Sequence, residues 1–510
     1  MKYPICTFLS PFCIYLIFIL LFTSCQSADK NNALKQGETL AKTHCAGCHL
    51  LPDPALLDKK TWEDGVLPAM AVQFGIEVLQ GNIYLNNKNS ALSNHDWLQI
   101  INYYKSLAPD SLVKSQPIKI NQNDWAAFKL KKPANDPLVV SGTLMTAINP
   151  LEKAIYTSDV NNPGLYQWSQ KLKPTLITPL TSSAVNIIFN DSLGQKVITC
   201  MGGMRALDIT KGDIISLVQN KKGSNSNRLI GADFIRPIQS QPIDFNKDGL
   251  VDYVICSFGH NKGGLYLLKQ LPDKTFDKII IREIPGATQS VTGDFNQDGW
   301  PDIIALFAHG DEGIWLFLND KKGGFDEKNL LRFPPVYGSS SFQMVDMNKD
   351  GKLDIVYTAG DNSDYSRISK PYHGLYIFIN HGDFMNTINF KKSYFQAVNG
   401  CTKAIAADFD QDGDLDIASI AFFADFKNNP SQTFVYFENE NKKLALSFKP
   451  HILPVYKNGR WICMDAGDVD GDGDEDIVLG NYSKGFFNEA NFKPNWDVHT
   501  PFVILENQTK

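Results

Sequence analysis

Three rhythms of apolar residues run along this chain. The first is a continuous run from Phe12 to Phe22, preceded by Lys2 and ending in Leu21-Phe22-Thr23-Ser24-Cys25. The second has helical spacing. Leu34, Gly37, Leu40 and Ala41 share one face of a predicted helix over 32–43. Trp97, Ile100, Ile101, Tyr104 and Leu107 form the stripe of another over 93–107, with Ser93, Asn94 or Asp96 to cap it and Pro109 to stop it. The third begins near residue 137 and reaches the C-terminus as short, strand-like apolar runs broken by Asp, Asn and Gly. Residues 111–136 follow none of these rhythms. They read as an extended connector, pinned by Trp125 and Phe128. The chain therefore divides into a leader over 1–25, a small helical domain over 30–110, the connector, and a large β domain over 137–510.

Within the β domain one pattern occurs five times, D-x-[DN]-x-D-G-x-x-D, starting at 244, 294, 346, 408 and 468. A period of this size belongs to propellers, solenoids or arrays. Positions 1, 3, 5 and 9 are Asp244, Asn246, Asp248 and Asp252 in the first and Asp294, Asn296, Asp298 and Asp302 in the second. They are Asp346, Asn348, Asp350 and Asp354 in the third, Asp408, Asp410, Asp412 and Asp416 in the fourth, and Asp468, Asp470, Asp472 and Asp476 in the fifth. Hard oxygens at this spacing suit Ca²⁺, with a backbone carbonyl at position 7 and Gly at 6 for the sharp turn. An EF-hand needs Glu at position 12, where this chain has Ile255, Ala305, Tyr357, Ser419 and Leu479. Each loop runs on into a strand instead, so a strand-loop-strand clip is expected, with up to five Ca²⁺ in a structural role. Phe245, Phe295, Met347, Phe409 and Val469 at position 2 are expected to tuck into the core.

Chemistry of a different kind lies at Cys45-Ala46-Gly47-Cys48-His49, a C-x-x-C-H run. Two thiols at this spacing can attach one haem c, and His49 then lies under the iron. A zinc site would need a second Cys/His pair nearby, and none follows at that spacing. Met70, after Pro68, is the expected sixth ligand, with His95, His44 or an open position as alternatives; a Met/His pair suits an electron carrier. Haem attachment implies export, and the leader agrees. Its end resembles a bacterial lipobox with Cys25 as the lipidated residue, although Phe22 stands where Leu is usual. An uncleaved membrane anchor is the other reading. Both put the body in the cell envelope: lipid-anchored, periplasmic or at the outer membrane.

The formal charge of −6 over 510 residues gives no reason to expect a nucleic-acid partner. Cys200, Cys256, Cys401 and Cys463 sit far apart in apolar runs and read as buried free thiols.

Residues 30–110 resemble a class I cytochrome c. That likeness implies a close crossing in which Gly37 admits Tyr103 or Tyr104. The five acidic motifs resemble the FG-GAP/VCBS repeats of integrin-like β-propellers, in which each repeat is one four-stranded blade. Two degenerate repeats, over about 137–180 and 181–235, bring the count to seven, or eight if the connector adds strands. The expected fold is mainly β: a seven-bladed β-propeller preceded by a small all-α cytochrome c domain.

In such propellers the calcium loops join the first two strands of each blade. The opposite face is then expected to gather Arg236, Arg460, Lys403, Gln289, His260, His309, Asp361, Asp425 and Asn481 as a candidate ligand face. The whole resembles envelope proteins that fuse one cytochrome c to such a propeller. The leading expectation is an electron-transfer lipoprotein whose propeller docks a redox partner or binds a small molecule or glycan. The alternatives are a dehydrogenase acting on a small organic substrate, and a glycan-binding or glycan-cleaving lipoprotein. A two-electron oxidation would need an acceptor beyond one haem.

Overall fold

The computed structural model describes residues 31–116, 118, 124–190, 194–205, 207–219, 225–363, 368–440, 446–486 and 492–509. The leader and Cys25 lie outside them, as does most of the expected acidic-loop equivalent over 190–194. Among the described residues no helix is long and apolar enough to cross a membrane. The chain divides into two compact units, Met1–Leu112 and Val113–Lys510.

The first unit has a helix over 31–44, a π-turn over Trp62–Val66 leading into the helix Leu67–Gln73, and the helix Asn94–Leu107. Ser93 caps the last, its hydroxyl accepting from the Asp96 amide at 3.0 Å, and the helix stops at Ala108 before Pro109. An antiparallel hairpin, Ile76–Leu79 with Ile83–Asn86, makes this unit other than all-α. Those segments are too short for periodicity to flag. Trp97, Ile100, Tyr103 and Tyr104 are buried, whereas Leu107, expected in the stripe, is exposed.

The second unit is a seven-bladed propeller of four-stranded antiparallel sheets. Blades 1 and 2 span Thr143–Pro179 and Ala184–Ile235, on the two degenerate repeats. Blades 3 to 6 span Pro237–Arg282, Ala287–Arg332, Ser339–Ala397 and Cys401–His451. Blade 7 takes three strands from Trp461–Asn507 and its outermost from Phe128–Lys131, paired Phe128 to Asn507 and Leu130 to Leu505. The connector expected over 111–136 is thus corrected: part of it is a propeller strand. The count stays at seven because this strand completes a blade rather than starting one. Phe128 is 4% exposed and packs against Phe409 and Tyr436 of blade 6.

The second strand of blades 3 to 7 is buried throughout, whereas the fourth is largely polar, as in Phe325–Arg332 and Phe390–Ala397. Apolar runs therefore mark strands enclosed on both faces. Cys200, Cys256 and Cys401 are buried, Cys463 is half-buried, and all four are free thiols. Every inner hairpin carries a bulge near the start of its first strand.

Neighbouring inner strands are joined by side chains. Asn186, Gln239 and Gln289 accept from the amides of Ser240, Ser290 and Phe342, one blade on, at 3.0, 2.6 and 3.1 Å. Gln343 accepts from the Ala406 amide at 2.7 Å and donates to its carbonyl. Lys403 donates to the Met464 carbonyl at 2.7 Å, and Asp465 accepts from the Ile148 amide at 2.8 Å.

Between blades 4 and 5, Glu312 is fully buried. One carboxyl oxygen accepts from the Ser339 amide at 2.7 Å and hydroxyl at 2.5 Å, and the other has no partner. Burial pushes this carboxyl up to about 8, despite the Ser339 bonds and Lys370; Asp361 adds to the rise.

Phe128→Ala should cost roughly 3 kcal/mol, the usual loss for an emptied aromatic site; an unchanged thermal midpoint would mean that the strand does not close the ring. Glu312 binds its proton more tightly folded than unfolded, so its contribution is complete below the unfolded value and fades as pH rises through 8. Between pH 7 and 9 denaturant titration should show a loss of about 1 kcal/mol that Glu312→Gln abolishes. An equal slope in the variant would assign the loss to other groups.

Candidate functional site

The helix over 31–44 passes directly into the turn that carries Cys45, Cys48 and His49. The Cys45 amide donates to the Ala41 carbonyl at 2.9 Å, which prolongs the helix into the motif. Burial, then the neighbouring Cys48, pushes the Cys45 thiol up to about 11. His49 Nδ1 lies 3.1 Å from the Leu50 carbonyl. Donation there leaves the lone pair on Nε2, the nitrogen a metal would take. A Cβ built on Gly37 would stand 2.4 Å from the Gln99 carbonyl oxygen and 2.8 Å from Tyr103 Cβ, so only glycine permits this crossing. After the motif, Tyr104 donates to the Pro52 carbonyl and Trp62 to that of Pro54, with their rings 4.4 Å apart. Met70 is half-buried on the helix Leu67–Gln73, and His95 is exposed. Two thiols and an imidazole on one turn suit covalent haem.

In blades 3 to 7 the acidic loops join the first and second strands. Position 4 takes positive φ at Lys247, Gln297, Lys349, Gln411 and Gly471, as does the glycine at position 6. The first Asp accepts from that glycine's amide in every loop, at 2.8–3.1 Å. The ninth Asp begins the second strand and is buried. One of its oxygens accepts from the end of the third strand: Gln270, Asn319, Asn380, Asn439 or Asn507. Except in blade 6, where Tyr436 takes that place, its other oxygen accepts from the amide at position 2. Phe245, Met347, Phe409 and Val469 at position 2 are buried. Burial raises all five of these carboxyls, Asp252, Asp416 and Asp476 to about 6.

The loops fall into two kinds. In blades 3 to 5 the Asn amide at position 3 donates to the Asp at position 5, at 2.8, 2.9 and 3.1 Å. Blades 6 and 7 have Asp at both positions. Carboxylate oxygens of Asp408, Asp410 and Asp412 lie within 4.8 Å of one another, as do those of Asp468, Asp470 and Asp476. Oδ1 of Asp408, Oδ1 of Asp470 and both oxygens of Asp474 are buried without a hydrogen-bond partner. Such a donor set fits a hard cation.

At the other end of these second strands the candidate face divides. His260 and His309 stack 5.4 Å apart, Phe258 stacks on His309, and Arg236 lies 4.8 Å over Phe258. Arg460 is wholly buried over Phe422, at 3.7 Å, and donates to the carbonyls of Phe422, Gly485 and Phe486. Asn481 accepts from the Arg460 amide and donates to the Asp497 and Thr500 carbonyls. Lys403 and Gln289 instead join neighbouring blades. Beside Arg460 lies a cavity of about 160 Å³, walled by Asn362, His373, Asp425, Phe426 and Phe492. Sequence reading missed the cavity because its walls come from loops of three blades. It also missed the Asn ending the third strands, although each closes an apolar run, as in Phe317-Leu318-Asn319 and Phe378-Ile379-Asn380.

A family model described as FG-GAP-like repeat matches residues 244–305 and 294–357. No curated protein matches the chain. Among solved structures, a protein from Lactobacillus plantarum is similar at 9% identity and a TM-score of 0.42, over 62% of this chain and 86% of that one. The N-terminal domain of Nup159 is similar at 12% identity and a TM-score of 0.41, over 77% of this chain and 98% of that one. At such scores neither likeness bears on what this chain does. The chain carries FG-GAP-like repeats on a seven-bladed β-propeller.

Proposed function

We propose that this protein is a c-type cytochrome that carries single electrons in the cell envelope, with a calcium-stabilised propeller as its docking or ligand-binding platform. The C-x-x-C-H run at Cys45, Cys48 and His49 carries the reading. The His49 tautomer and the Gly37–Tyr103 crossing support it. Cys45 and Cys48 would hold the haem covalently, with His49 and Met70 as axial ligands. When bound, the haem supplies a one-electron couple at its iron. The leader ending at Cys25 would tether the protein to a membrane. The propeller cavity favours a second reading, in which a small organic substrate is oxidised and its electrons pass to the haem.

Protein matured in an exporting host should show a c-type visible spectrum, and Cys45→Ser with Cys48→Ser should lose covalent haem on a denaturing gel. A wild-type chain without haem under those conditions would end the cytochrome reading. Met70→Ala should lower the reduction potential, because a thioether ligand raises it. An unmoved potential would pass the sixth position to His95, His44 or solvent.

Calcium has its own test. Chelator should lower the thermal midpoint of the propeller, and added Ca²⁺ should restore it. The loss should shrink more in Asp410→Asn or Asp470→Asn than in Asn348→Ala, because the unpartnered carboxylates lie in blades 6 and 7. A midpoint indifferent to chelator would remove calcium from the account.

A further inference from the structure

The cavity beside Arg460 is unusual in what its walls lack. Asn362 is 4% exposed; its Nδ2 donates to the Ile368 carbonyl at 2.8 Å, and its Oδ1 has no partner. His373 is 1% exposed, and its Nε2 has no partner. Burial followed by the Lys370 charge holds the ring neutral against a bond to the Tyr337 backbone, and with Nε2 unpartnered that bond falls to Nδ1. Nε2 then carries a lone pair. Asn362 and His373 both line the cavity, and both unpartnered atoms are acceptors. An unmet buried acceptor costs about 1–3 kcal/mol, so two around one space call for a donor inside it.

Arg460 does not make the space an anion site. Its guanidinium donates to three backbone carbonyls and lies over the Phe422 ring. Asp425 and Lys427 bring one further charge of each sign to the walls, and the Asp425 oxygens accept from Asn428 and Asn429. Phe423, Phe426, Phe486 and Phe492 supply apolar wall. A ligand here needs hydroxyl donors on one side and C–H surface on another. Cavities for drug-sized ligands run to roughly 300–1,000 Å³, so about 160 Å³ sets a smaller limit.

We propose that the cavity between Asn362, His373 and Phe426 binds a neutral polyhydroxylated molecule of about monosaccharide size, with its hydroxyls donating to Asn362 Oδ1 and His373 Nε2. The site does not rest on the haem, so it can stand or fall apart from the electron-transfer reading.

Calorimetric titration of the calcium-loaded full chain would use D-glucose, D-galactose and myo-inositol as neutral probes and D-gluconate as the anion. At least one neutral probe should bind saturably and more tightly than gluconate. Asn362→Leu removes the acceptor and should weaken binding roughly threefold to tenfold, the usual worth of one neutral hydrogen bond. Because Asn362 also holds the Ile368 carbonyl, Ser369→Trp serves as a second variant. Ser369 is exposed where it lines the cavity, so a bulky ring there should abolish binding without moving the thermal midpoint. Binding of gluconate alone, no binding of any neutral probe at millimolar concentration, or full affinity in Ser369→Trp would each overturn the proposal.

Discussion

The propeller depends on what happens at the inner edges of its sheets. The first strand of each blade pairs with its own second strand on one side only. Its other edge would leave backbone amides without partners, a cost that folded proteins avoid. This chain answers with side chains from the preceding blade. Asn186, Gln239, Gln289, Gln343 and Asp465 each accept an amide across a blade junction, and Lys403 meets a carbonyl. The shared bulge at the start of these strands sets the register from which the side chains reach over. Closure at the rim then needs only the strand Phe128–Lys131, which joins the N-terminal end of the propeller sequence to its C-terminal strand.

The acidic loops solve a different problem with a similar device. The ninth Asp of each loop is buried, and its oxygens take amides from the end of the third strand and, in four blades, from position 2. It fixes the hairpin whether or not an ion is present. The outer carboxylates differ between blades. An Asn at position 3 lets blades 3 to 5 quiet one carboxylate with an amide donor. In blades 6 and 7 a third carboxylate takes that place, which leaves like charges close together in a set of oxygens that would suit a hard cation.

Much of this was legible in the sequence because it repeats. Five copies of one motif located five hairpins, and the absence of Glu at position 12 turned helix-loop-helix into strand-loop-strand. The helix Asn94–Leu107 was legible because stripe, cap and stop agreed. What escaped reading was non-periodic or non-local. The hairpin at Ile76–Asn86 has four-residue strands, and the strand Phe128–Lys131 takes its meaning from a partner some 380 residues away. Lys403 and Gln289 looked like face residues because spacing cannot tell a side chain aimed at a ligand from one aimed at the next blade. Arg460, expected on the ligand face, lines a cavity, but its guanidinium donates to backbone carbonyls.

In blade 6 the strand Asp416–Ala421 starts at the ninth Asp of an acidic loop and ends beside Phe423, Ala424, Asp425 and Phe426, which wall the cavity. At about 3.3 Å per residue, these ends lie roughly 20 Å apart. No ion at the loop can touch a ligand over that distance. What it can do is hold the register of a fully buried strand, which sets where the wall begins. The hydrogen bonds of Asp416 to Asn439 and Tyr436 are the first link in that chain. The Phe422 carbonyl under Arg460 is the last. The paired strand Asp416–Ala421 therefore ties the acidic loop of blade 6 to the cavity wall through backbone register.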